Sequence, residues 1–272
     1  MDDSLFKQNF SLNNVPHWPC VICARGILRV KAEDFRAEYN RETQAHKDDP
    51  SFDYDWVRYI FHGLLRCNLC EEKVVFCGTG AVEQDYDDSE RGWSYYDYFE
   101  PKYFHPTVRI IVIENNEAVP EQVLSSVDKA CELFWTDLDS CANRIRTAVE
   151  YILDDLKIPR KKHLSLHARI EMLDSSKYAD AKTILEAVKW IGNTGTHELG
   201  GLHRESVIEG FRMLEHCLSI LYPKPTVDAT PILTLAKAIN NAKGPSGAYE
   251  VKRKWQSSEL EYMDRNGKMT GR

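Results

Sequence analysis

Two Cys-x-x-Cys pairs constrain this chain more than any other feature. Cys20-Val21-Ile22-Cys23 follows Pro16-His17-Trp18-Pro19, and Cys67-Asn68-Leu69-Cys70 comes after an interval of residues 24–66. Each pair reads as a knuckle, a tight turn that presents two sulfurs to one ion. Two knuckles complete a tetrahedral four-thiolate site of the kind that holds Zn2+. The start, Met1-Asp2-Asp3-Ser4, lacks the basic-then-apolar pattern of a signal peptide, so a cytoplasmic, reducing setting is expected. There, paired spacings point to metal before disulfide. Four unrelated buried thiols, or a redox Cys-x-x-Cys, are the alternatives. Cys77 stands as a substitute ligand, though in Lys73-Val74-Val75-Phe76-Cys77 it reads more simply as a buried strand residue. The interval between the pairs exceeds ordinary ribbon spacing and predicts a helical insertion. Ala32 to His46 is polar and helix-prone, and Trp56, Ile60 and Leu64 recur at helical spacing.

After the knuckles, Val74 to Val82 and Val108 to Ile113 read as strands rich in β-branched residues. Between them lie an acidic loop, Asp85 to Glu90, and an aromatic run that includes Trp93, Tyr95, Tyr96, Phe99, Tyr103 and Phe104. Stacked rings can serve as a nucleobase platform. The neighbouring charges are mostly acidic and repel phosphate, so the expectation is that these rings pack a small ribbon against a helical part. The net charge of −7 likewise argues against non-specific coating of DNA, while leaving room for a local basic groove.

From Glu121, just past Pro120, the period changes to that of helices. Val123, Val127, Cys131 and Phe134 mark the first. Leu138, Cys141, Ala142, Ile145, Ala148, Val149, Ile152 and Leu156 mark a second, long one opening at Asp137. A basic loop, Pro159-Arg160-Lys161-Lys162, separates it from a short helix capped by Ser165 and bearing Leu166, Ile170 and Leu173. Ala181, Ile184, Leu185, Val188 and Ile191 form the next stripe, which is expected to stop at Gly192-Asn193, because both residues tolerate a left-handed backbone. Val207, Phe211, Leu214, Leu218 and Leu221 stripe a last long helix that ends before Pro223. A further short helix, Ile232 to Ala242, and a polar tail from Ala248 follow. Cys131, Cys141 and Cys217 fall on apolar faces and read as buried thiols. The fold class expected is α+β, mainly α: a small zinc-ribbon-like β module with a helical insertion, then a helical bundle. The expected domains are 1–118, 119–224 and a 225–272 tail. No apolar run approaches the roughly 20 residues that span a bilayer, so no membrane is expected.

Three stretches carry a family resemblance. Ala142-x-x-x-Arg146-x-Ala148-x-Glu150, Leu166-x-x-x-Ile170-x-x-Leu173 and Ile191-Gly192-Asn193-x-Gly195-x-His197-Glu198 are similar to the bacterial domain-of-unknown-function family 4145, over about residues 120–222. The Gly-Asn-x-x-x-His element is the specific part. The resemblance implies a HEPN-like helical bundle, an amino-terminal zinc knuckle, pairing into homodimers, and a setting beside phage-defence or restriction–modification genes. HEPN relatives include metal-independent ribonucleases and silent binding proteins. The ribonucleases place an Arg four to six residues before their His, whereas here Lys189 holds the basic position farther from His197. In the catalytic reading His197 is the general base, with Asn193 beside it and Lys189 or Arg146 facing the phosphoryl oxygens. In the other reading Asn193 and His197 only lock a helix end. The function expected is a zinc-binding, defence-associated binding or regulatory protein acting on nucleic acid or a partner protein. A HEPN-type endoribonuclease and a structural adaptor are the alternatives, so whether the chain is an enzyme stays open.

Overall fold

Along Arg58–Cys67, at the end of the interval between the knuckles, buried and exposed side chains alternate with period two, and the chain there is a sheet strand. The computed structural model describes residues 4–7, 9–87, 92–197 and 202–224, apart from the side chains of residues 4, 7, 86, 87 and 194–197. After a short amino-terminal helix, α1 (Ser4–Lys7), come β1 (Leu28–Tyr39), β2 (Arg58–Cys67), β3 (Lys73–Asp87) and β4 (Gly92–His105). They form one antiparallel sheet in the order β1-β2-β3-β4. One face buries Phe35, Phe61, Phe76, Phe99 and Phe104. Phe10 joins them from the amino-terminal segment, which pairs with β4 at Phe99. The other face is open: Ile60, Val75 and Tyr103 are 61%, 49% and 53% exposed.

Two sequence expectations need correction here. The regular structure of the bridge between the knuckles is mainly strand, β1 and β2. Only α2 (Arg41–His46), capped by the Asn40 side chain, and a single turn at Tyr54–Trp56 are helical. Trp56, Ile60 and Leu64 are four apart, a spacing that suits one helix face and one strand face equally. Phe61, Gly63 and Leu65, alternating with them along β2, are buried and settle the period as two. Val108 to Ile113 is not a strand. Its buried chain finds partners elsewhere: the Ile110 N–H donates to Cys131 Sγ (3.5 Å) and the Val112 N–H to the Glu215 carboxylate (2.8 Å).

The helices follow their stripes closely. They are α3 (Glu121–Leu133), α4 (Leu138–Asp155), α5 (Leu166–Glu171), α6 (Ser175–His197) and α7 (Arg204–Leu221). Asp137 caps α4 by accepting from the Ser140 N–H at 2.9 Å, and Ser165 caps α5 by accepting from the Ala168 N–H at 3.1 Å. Ile145, Val149 and Ile152 of α4 and Phe211, Leu214 and Leu218 of α7 are buried within this one chain. The long apolar stripes of α4 and α7 are therefore covered without a second copy. The basic loop is held by acids: Arg160 reaches Glu150 (3.2 Å) and Asp154 (3.0 Å).

The helix α6 runs through Gly192 and Asn193 to His197 instead of stopping at them. Gly192 has a different task from the expected one. A Cβ there would lie 2.6 Å from Cβ of Arg146 and 3.1 Å from the Ala142 carbonyl, so this glycine lets α6 cross close over α4. The Ile232 to Ala242 helix and the tail from Ala248 lie outside the described residues.

Sheet and helices share a core. Trp135, just past α3, lies 4.6 Å from Phe104 and 6.2 Å from Trp18, centroid to centroid. Arg204 at the start of α7 stacks over Phe134 (4.8 Å) and pairs with Glu100 of β4 at 3.6 Å. Among the described residues, no helix is long and apolar enough to cross a membrane.

Candidate metal centre

Both knuckles sit at hairpin tips on one end of the sheet. The first is closed by Cys20 N–H to Gly26 O (2.8 Å) and Leu28 N–H to Trp18 O (2.8 Å), which feeds the chain into β1. The second lies between β2 and β3 and is closed by Cys67 N–H to Glu72 O (2.8 Å). Asn68 clips the tips together: its N–H donates to Ile27 O (3.1 Å), and its Oδ1 accepts from Ile27 N–H (2.9 Å). Ala24 (φ 52°) and Glu71 (φ 61°) follow the second cysteine of each knuckle in the left-handed region, turning the chain back over the sulfurs. At Gly26 a Cβ would collide with Cys67 Sγ, so the approach of the two tips requires glycine there.

The result brings Cys20, Cys23, Cys67 and Cys70 together with all four Sγ atoms within 4.8 Å of one another. Cys20 to Cys70 is 3.5 Å and Cys23 to Cys67 is 3.7 Å between sulfurs. A tetrahedral ion with ~2.3 Å bonds to sulfur requires edges of ~3.8 Å, so this donor set fits such an ion. Backbone N–H groups already point at the sulfurs: Ile22 to Cys20 (3.4 Å), Gly26 to Cys23 (3.3 Å) and Leu69 to Cys67 (3.4 Å). Such donors favour thiolate. The N–H groups of Gly26 and Arg25 pull the Cys23 thiol down to about 6. The Glu72 N–H favours thiolate at Cys70 too, but desolvation and the other three cysteines outweigh it and push Cys70 up to about 12. Four sulfurs this close cannot all ionise unless a cation joins them. Cys77 lies outside the cluster, on β3 opposite His62 and Tyr103. Cys131, Cys141 and Cys217 are buried among the helices, and desolvation raises all three thiols.

The other residues singled out from sequence sit on α4 and α6. Lys189, which the catalytic reading turns toward phosphoryl oxygens, is only 3% exposed. Its Nζ lies 3.3 Å from His167 Nδ1, 3.5 Å from Glu186 Oε1 and 3.8 Å from the centre of the Trp190 ring. His167, which sequence reasoning passed over, thus joins α5 to α6. Among the described residues His167, Glu171 and Glu186 form a second group of close donors. Lys189 and Lys182 (3.0 Å from Glu171) already supply its cations, so it is an ion-pair network. Arg146 lies beside Gly192 and pairs with Glu150 at 3.0 Å. Asn193 is half-buried in α6. The side chain of His197 lies outside the described residues.

Residues 8–104 match the family described as Domain of unknown function (DUF8608). Residues 128–243 match that described as Domain of unknown function (DUF4145). No curated protein and no solved structure matches the chain. The second match bears out the resemblance carried by Ile191-Gly192-Asn193-x-Gly195-x-His197: residues 128–243, which hold most of the helical part, are similar to that family.

Proposed function

We propose that this protein binds one zinc ion through Cys20, Cys23, Cys67 and Cys70, and that the pinned sheet serves as a binding module for nucleic acid or a partner protein. The carrying observation is the four-sulfur cluster, with separations of 3.5 and 3.7 Å close to a tetrahedral edge. A site closed by four protein ligands offers no open position for substrate, so the ion's part is structural. Cys20 and Cys67, both buried, anchor it from the sheet side, and the N–H groups of Ile22, Gly26 and Leu69 spread its thiolate charge. Elemental analysis of the purified chain should find one zinc per chain, and Cys67→Ser should lose it. An absence of stoichiometric zinc, or iron in its place, would sink the assignment.

A phage-defence or restriction–modification role, a cytoplasmic location, homodimers and the 1–118, 119–224 and 225–272 division belong to the same proposal. The defence setting and the homodimer rest on the family resemblance. Plaque counts on a strain carrying or lacking the gene test the defence role, and light scattering tests the dimer. The HEPN-type ribonuclease is the second reading. The geometry around Lys189 favours binding over cleavage, since its Nζ is packed on Trp190 between His167 and Glu186.

A further inference from the structure

Resting on that binding module, we propose that the open face of the sheet docks single-stranded nucleic acid. Residues directly opposite each other on antiparallel strands point to the same side. The register therefore sets out the face row by row. Nearest the cysteines, Arg29, Arg66 and Lys73 stand side by side on β1, β2 and β3. The next row is Leu64, Val75 and His105, and the one after that is His62, Cys77 and Tyr103, with Arg36 opposite His62.

Three cations on adjacent strands are a liability to the fold, because like charges directly opposite each other destabilise a sheet. Asp34 relieves only Arg66, at 3.2 Å. Among the described residues, Arg29 and Lys73 make no ion pair. The other carboxylates of this side are remote or engaged: Glu38 stands opposite Ile60, Glu83 (accepting from the Tyr96 hydroxyl at 2.7 Å) and Asp85 lie at the far end of β3, and Glu100 is taken by Lys102 (2.6 Å) and Arg204 (3.6 Å). A cation row in a chain of net charge −7 calls for a local polyanion.

The rows beyond it call for bases. Tyr103 and His105 hold their rings parallel within 4°, centroids 6.4 Å apart, with Val75 beside them at 49% exposed. Unstacked bases can lie on such rings while the backbone follows the cations. A duplex keeps its π-faces hidden and cannot use them. The knuckles hold this arrangement in place, since Cys67 directly follows Arg66 and the second knuckle leads into Lys73.

The test is fluorescence anisotropy of the zinc-loaded full chain with labelled oligouridine, oligothymidine and an RNA duplex of equal length. Single strands should bind more tightly than the duplex. Tyr103→Ala should weaken strand binding roughly five- to 150-fold, the range for a stacked base. Arg29→Gln with Lys73→Gln should weaken it too and make the slope of log affinity against log salt shallower by about 1.4, or about 0.7 for each lost phosphate contact. Metal content should stay at the wild-type value in these variants, and the melting temperature of the Arg29→Gln, Lys73→Gln chain should not fall, since like-charge repulsion in the row is relieved. The proposal is overturned if the variants bind like wild type, if the duplex binds as tightly as the strands, or if zinc-loaded wild type binds no strand. That last result would leave the zinc assignment standing. Face-dependent strand binding by a chain devoid of metal would uphold the docking face and sink the zinc site.

Discussion

Gly192 shows how one residue can carry two opposite expectations. Glycine inside a helix is unfavourable, so helix propensity alone says that Gly192→Ala stabilises by up to about 1 kcal/mol. The crossing with α4 says otherwise. The new methyl group would press on Cβ of Arg146 and the Ala142 carbonyl, neither of which is a mobile side-chain end. Overpacking of this kind costs about 1–3 kcal/mol. Gly192→Ala should therefore lower the midpoint of urea unfolding, and a raised midpoint would refute the close crossing. In the sequence, Gly-Asn looked like a helix stop because its conformational freedom is visible there and its neighbour across the bundle is not. The four cysteines were legible for the converse reason: ligand chemistry fixes their spacing locally. Gly26 and Asn68, which bring the two tips together, carry no such mark, although a glycine three residues past Cys23 was a usable hint. The burial of Lys189 was not legible because a lysine usually lies on the surface, and here it depends on His167 of α5 arriving beside Glu186, one turn earlier on its own helix.

At the scale of elements, the caps carry a pH-dependent stability. Asp137 accepts from the Ser140 N–H at the start of α4, and the side chain and backbone of Ser140 hold its carboxyl below the ordinary value of 3.8. A carboxyl held down in the fold stabilises above its unfolded value and loses that contribution as pH falls through the folded one. Asp137→Ala should therefore destabilise by about 0.5–2 kcal/mol at pH ~7. The gap to wild type should close in acid, below about pH 3.8. A gap that is constant down to pH ~3 would show that the cap does not act through its charge. Signals of this local kind made α3, α4, α5 and α7 readable: a stripe, a cap, and Pro120 or Pro223 at the border. The strands β1 and β2 were less readable. Ile60 and Leu64 face outward on β2 with an apolar character that a solvated face seldom has, and so they imitated a buried helical stripe. The departure from ordinary sheet patterning lies on the face proposed to bind.

At the scale of the whole molecule, residues 1–118 and 119–224 meet through rings. Trp18 lies two positions before Cys20, packs 5.0 Å from Phe104, and both rings meet Trp135. Removing the amino-terminal part strips the cover from Trp135, which is 4% exposed in the intact chain. The 119–224 fragment should therefore melt below the full chain and bind a hydrophobic dye. A fragment as stable as the full chain would mean that this seam adds nothing. Calorimetry of the full chain should show one transition. The ring seam also bears on inheritance. Two family descriptions match separate stretches, residues 8–104 and 128–243, yet neither part is a free cassette. A recombinant that joins either part to a foreign companion inherits a face of indole and phenyl rings shaped for a lost counterpart. Changes at Trp18, Phe104 and Trp135 are thus expected to be transmitted together, as one lineage of compensating substitutions.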